Sequence, residues 1–163
     1  MNNPAEREAM AAYLKKRNLR DYALFAVGVS ASWNIPDLLA LNVRDVASIG
    51  EDGKLNIAKM TKGAVVDKKL SGEARRALAA YLKQRGKAAP SLEAVLEEPL
   101  FKCDKPRKGP GDRWRMTKNH AGRVLTAAAR ACNLPCKDGG KGVLEYFTAE
   151  LWQKEINAAI AAL

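Results

Sequence analysis

The stretch RDYALFAVGVSASWNIPDLLALNVRDV, residues 20–46, is the one whose reading decides the fold. Between Tyr22 and Trp33 almost every residue is apolar or small, and no hydrophilic face of the kind a surface helix needs is left. A helix that is apolar all round belongs inside a domain, so this segment is expected to be the central core helix. It is too short to span a bilayer, and Gly28, Ser30 and Ser32 dilute it further. Pro36 suits the first turn of a new short helix whose apolar residues are Leu38, Leu39 and Leu41. The step Val43-Arg44-Asp45-Val46 reads as the exit into a polar loop.

On the N-terminal side, residues 4–17 have the pattern of an amphipathic helix, with Ala9, Met10, Tyr13 and Leu14 on one face and Asn18 ending it. On the C-terminal side, Glu51-Asp52-Gly53 is a turn signal, and 54–59 alternates polar and apolar as a half-buried strand does. Thr61-Lys62-Gly63 supplies a second turn, and 64–70 a return strand, so a small antiparallel sheet is expected. Ser71 is a suitable N-cap for a helix from Gly72 to about Arg85, with Ala74, Leu78, Tyr81 and Leu82 buried and Gly86 as its stop. A short helix follows from Ser91 to Glu97, then a brief edge strand from Pro99 to Lys102.

Residues 103–116 hold prolines, glycines and basic side chains and read as a loop. Thr117 caps the next helix, which runs to about Cys132 with Ala121, Val124, Leu125, Ala128 and Cys132 inward. A Pro- and Gly-containing loop and an alanine-rich helix, about Val143 to Leu163, complete the chain, with Leu151, Trp152, Ile156, Ala159 and Ile160 on its apolar side. That last helix either closes the core or docks on a second copy, which leaves a homo-oligomer open. The whole reads as one domain, 1–163, mainly α with a small antiparallel β-sheet.

A core helix, a sharp turn, D-L-L-A-L and then V-x-D-V, followed by a hairpin, a helix, a basic loop and a further helix, resembles the catalytic domain of tyrosine recombinases (phage integrases) from about Ala5 to Leu134. The resemblance implies an integrase-like fold. It also implies a set of phosphate-stabilising cations and a tyrosine nucleophile, and here this sequence departs from the family. Asn34 stands where the turn carries its arginine, and a neutral amide cannot make the bidentate charged contact of a guanidinium. Gly142-Val143-Leu144-Glu145 occupies the place of H-x-x-R, and the family's tyrosine falls beyond the last residue. Tyr13, Tyr22 and Tyr81 lie at core spacing, and Tyr146 comes directly after the H-x-x-R place. Only Lys62 matches a catalytic position, and alone it is a phosphate contact or an ordinary turn lysine. The expectation is therefore a non-enzymatic relative with no catalytic residues.

Composition points the same way. The 163 residues carry 28 basic and 18 acidic side chains, a net charge of +10 that favours polyanionic partners. From Lys102 to Lys118 seven cations face only Asp104 and Asp112, so half of that excess sits in about a tenth of the chain. Trp114 lies between two arginines, where an indole can cover a sugar or anchor the loop. His120, Arg123 and Arg130 share a stripe of the following helix opposite its buried residues, and Thr117 and Lys118 open that helix with an anion-friendly first turn. The expected DNA-binding residues are Lys62, Lys105, Arg107, Lys108, Arg113, Arg115, Thr117, Lys118, His120 and Arg123. His120 and Arg123 are placed for base edges or phosphates, and the rest for phosphates or helix capping.

Cys103, Cys132 and Cys136, with His120 as the sole histidine, are too few for a zinc site, so neither metal nor cofactor is expected. Reduced thiols and the lack of a signal, membrane or lipidation motif suggest a cytoplasmic, nucleoid-associated protein. The expected function is duplex DNA binding without cleavage, as a transcriptional or accessory regulator of a bacterial mobile element (plasmid, phage or integrative element). The rival readings are a fragment of an active recombinase and a protein-interaction module that uses the fold without DNA.

Overall fold

The computed structural model describes residues 4–31, 35–57 and 72–134, together with Val143 and Ala161. Asn34, Lys62, the return strand at 64–70, the Ser71 cap and most of the C-terminal helix lie outside the described residues.

The apolar segment forms the helix α2, Leu19–Ala31, which follows α1, Pro4–Arg17. Asn18 separates the two: its Oδ1 accepts the backbone N–H groups of Arg20 (2.9 Å) and Asp21 (3.4 Å), orphan donors of the first turn of α2. From Tyr22 to Val29 every α2 side chain is buried, with Gly28 buried among them. On α1 the buried residues are Met10, Ala11 and Leu14; Tyr13 is half-buried, and Ala9, expected inward, is exposed. A helix stripe of 3.6-residue period centred on Met10 and Leu14 takes in Ala11 rather than Ala9.

The short helix α3, Ile35–Leu39, buries Ile35, Leu38 and Leu39. The following step is not a polar loop. Val43–Asp45 forms a single 3-10 turn with Val43 and Val46 buried, closed by Asn42 N donating to the Asp45 carboxylate (2.7 Å). A strand, β1 (Ala47–Ile49), leaves it directly and pairs antiparallel with β2 (Leu55–Ile57), Ala47 opposite Ile57. Glu51-Asp52-Gly53 is thus the turn of this hairpin, with Gly53 at φ 75° and Lys54 N donating to the Asp52 carboxylate (3.0 Å).

The next helix, α4 (Gly72–Ala88), buries Ala74, Ala77, Leu78, Tyr81 and Leu82. Gly86 does not stop it. A Cβ there would sit 3.1 Å from Leu92 Cδ2, so the glycine serves the close approach of the next helix, α5 (Leu92–Leu96). Ser91 caps α5 by accepting Ala94 N (3.2 Å). Residues 99–102 form no strand, only two isolated bridges, Asn42 with Pro99 and Lys102 with Arg115. The last described helix is α6, Lys118–Ala131. Helix α2 packs on α1 and α4 and touches α3 and α6, while β1 meets α5 and β2 meets α4. The described fold is mainly helical with one small two-stranded antiparallel sheet. Among the described residues no helix is long and apolar enough to cross a membrane.

Candidate nucleic-acid interface

The basic loop is built as a pinned ribbon. Its ends are tied by Met116 N to Phe101 O (3.0 Å) and Cys103 N to Trp114 O (2.7 Å), and its middle by Arg107 N to Arg113 O (2.8 Å). Phe101, Cys103 and Met116 are buried, so the base is anchored in the core while everything from Asp104 to Trp114 is exposed. The tip, Gly109-Pro110-Gly111, turns with both glycines at positive φ (105° and 90°), a region that side chains bearing a Cβ rarely adopt.

Charge on this ribbon is sorted by direction. Arg115 points inward: Nη1 donates to the carbonyls of Leu39 (2.7 Å) and Leu41 (2.9 Å), Nη2 to Asn42 Oδ1, and Nε to Asp112 (2.8 Å). It satisfies the Leu39 carbonyl at the end of α3 and adds a second donor to the Leu41 carbonyl, which also accepts Leu100 N (2.9 Å). Arg20, 4 % exposed, donates through Nη1 to Lys102 O (2.9 Å) and pairs with Asp21 (2.9 Å) and Asp104 (3.5 Å). The two acids of the loop are therefore held by inward-facing arginines. Lys105, Arg107, Lys108 and Arg113 are all exposed, and among the described residues no carboxylate pairs with them. Arg107 also donates to the Asp112 carbonyl (2.7 Å), which steadies the ribbon without neutralising the cation. Trp114 is 39 % exposed and carries Lys102 Nζ 4.7 Å from its ring, so the indole stays at the surface beside the ribbon.

The ribbon runs into α6 through Thr117, whose Oγ1 accepts His120 N (3.1 Å). That cap takes up one of the first-turn donors. Ala121, Leu125, Ala128 and Ala129 are buried on α6, and Val124 and Cys132 are half-buried. Lys118, Arg123 and Arg130 are exposed, and His120 is half-buried. Burial lowers the His120 pKa below its ordinary 6.5, assisted by Arg20 and Arg123 and opposed by Asp21 and Asp104. The imidazole is accordingly neutral at pH 7. Arg123 and Arg130 line a cavity on α6 together with Gly122, Thr126 and Ala127, whose side chains are small.

Of the ten residues expected from the sequence, Lys105, Arg107, Lys108, Arg113, Lys118 and Arg123 share the exposed ribbon and the exposed side of α6. Thr117 is a cap, His120 lies at the border, Arg115 is turned into the molecule, and Lys62 is outside the described residues. Arg20 was assigned no role by sequence; the signal was there, a charged Arg20-Asp21 pair at the head of an otherwise apolar helix. Among the described residues no group of three or more His, Cys, Asp or Glu could hold a metal.

No protein-family model matches the chain, and no curated protein matches it significantly. The resemblance to tyrosine recombinases rests on the residue pattern quoted above.

Proposed function

We propose that this chain binds duplex DNA without cutting it, through the ribbon 104–114 and the exposed side of α6, as a transcriptional or accessory regulator of a bacterial mobile element. The observation that carries the DNA reading is the sorting of charge. Asp112 is held by Arg115 and Asp104 lies beside Arg20, which Asp21 also holds, while Lys105, Arg107, Lys108 and Arg113 have no carboxylate partner among the described residues, on a ribbon continuous with α6. A row of unpaired cations on a pinned support releases the same counterions as one on a loose chain but loses less conformational entropy on binding. Arg113 and the neighbouring Trp114 suit phosphate and sugar, while Arg123, on a helix with a small-residue face, suits a groove. The regulatory role and the non-catalytic reading derive from the family resemblance and from Asn34, Gly142 and Glu145 at its key positions.

Selection of bound fragments from a random duplex library tests the reading. Enrichment of a site is expected, with Arg123→Ala eroding preference among sequences and Lys105→Ala weakening all duplexes alike. Recovery no better than with a neutral control protein would refute DNA binding. Catalysis is tested with nicked suicide duplexes on denaturing gels. No covalent adduct is expected, either with the wild type or with Asn34→Arg. An adduct lost on Tyr146→Phe would overturn the non-catalytic reading.

A further inference from the structure

At the ribbon's root lies a cleft of about 490 Å³, bounded by the α1–α2 junction, the last turns of α4 and residues 98–104. Four cations, Arg17, Arg20, Arg85 and Lys102, line it against two carboxylates, Glu98 and Asp104. Those carboxylates are already shared. Asp104 pairs with Arg20, and Glu98 Oε2 serves both Lys102 Nζ and Arg85 Nη2 (3.4 Å). Arg85 is nine-tenths buried; its Nη1 donates to the carbonyls of Pro99 (2.7 Å) and Leu100 (2.8 Å). Its Nη2, although close to Glu98, makes no hydrogen bond among the described residues. Arg17 is exposed, packs 5.4 Å from the Tyr13 ring and has no carboxylate partner among the described residues. Buried Tyr81 completes the wall: its hydroxyl accepts from Arg85 (3.5 Å) and Lys102 N (3.4 Å), and burial raises its pKa so that it stays a phenol able to donate.

We propose that this cleft binds a phosphomonoester, with Arg17, Lys102 and Arg85 around the phosphate and Leu19, Ala89 and Pro90 against the rest of the molecule. Arg20 is held by Asp21 as well as by Asp104, so the cleft keeps one positive charge in excess, a sign that favours a phosphomonoester, which carries about −1.5 to −2 at neutral pH. A carboxylate serving two cations leaves Lys102 and the exposed Arg17 with donors for an incoming oxyanion, with the buried Arg85 guanidinium supplying charge behind them, and charge-assisted bonds of this kind are the strong ones. The volume exceeds that of free phosphate and lies within the range of small-molecule sites, and the apolar side fits an attached organic group. The inference uses none of Lys105, Arg107, Lys108, Arg113 or Arg123, although Lys102 also lies over Trp114 and Asp104 begins the ribbon.

The test is an amide chemical-shift titration of the full chain with inorganic phosphate, adenosine 5′-monophosphate and adenosine, at constant ionic strength in chloride. Phosphate and the monophosphate are expected to shift residues 17–20, 84–90 and 102–104, the monophosphate more tightly, and adenosine to shift none. Arg17→Gln, an exposed position that leaves the core intact, is expected to weaken the monophosphate about tenfold. Absence of saturable shifts, shifts confined to 105–123, or an Arg17→Gln affinity equal to wild type would each overturn the proposal. A duplex that shifts the cleft amides where the monophosphate does not would also overturn it, making the cleft part of the DNA face.

Discussion

Arg113 and Arg115 stand two apart on one ribbon and do opposite work. Arg115 closes the Leu39 carbonyl at the end of α3, supports the Leu41 carbonyl beside Leu100 N and holds Asp112, so its loss leaves the Leu39 carbonyl without its donor. Arg115→Met should therefore cost about 2 kcal/mol in urea unfolding. Arg113→Gln should stay within about 0.5 kcal/mol of wild type and weaken DNA instead. Equal stability of the two variants would remove the inward role assigned to Arg115. His120 makes a pH prediction. Its folded pKa lies below the unfolded 6.5, so the unfolded chain takes the proton first. Its contribution to stability is complete above that value and is lost as pH falls through 6.5 towards the lower folded pKa. Urea midpoints measured from about pH 7.5 down to about pH 5.5 should fall less steeply for His120→Gln than for wild type.

At the scale of elements, α1, α2, α4, α5 and α6 were legible because each carries an apolar stripe or run that burial demands. The strand β1 was not. Three residues, Ala47-Ser48-Ile49, carry no alternation long enough to read, and the turn before β2 was legible while its first arm was not. Gly86 misled for a physical reason, since a glycine at a helix end and one admitting Leu92 look alike in sequence. The exposed basic ribbon was legible from charge density, but the inward turn of Arg115 and Arg20 was not, because their carbonyl acceptors lie 74 to 82 residues away in the chain. The cap on α6 was read correctly from Thr117, and it yields a direct test. Thr117→Ala should cost about 1 kcal/mol and Thr117→Ser should restore most of it. A Thr117→Ala protein with an unchanged thermal midpoint would mean that the hydroxyl contributes nothing to the helix start.

For the whole molecule, the fold divides labour between a buried helical frame and a charged edge. The core from Met10 through α2 to Leu125 fixes Phe101 and Met116, and those two residues hold the ends of the ribbon. Phe101→Ala should accordingly cost about 3–5 kcal/mol and weaken DNA indirectly, by releasing the ribbon from its base. The central claim is that the ribbon itself carries the nucleic-acid contact, and the salt dependence of duplex binding tests it most directly. Wild type should lose affinity linearly in log salt with a slope of about −3.6 or steeper, as at least four phosphate contacts require. The triple variant Arg107→Glu, Lys108→Glu, Arg113→Glu, which spares the structural Arg115 and keeps the helical circular dichroism, should bind too weakly to measure or show a slope shallower than about −1. Equal affinity and equal slope for the two proteins would contradict the account.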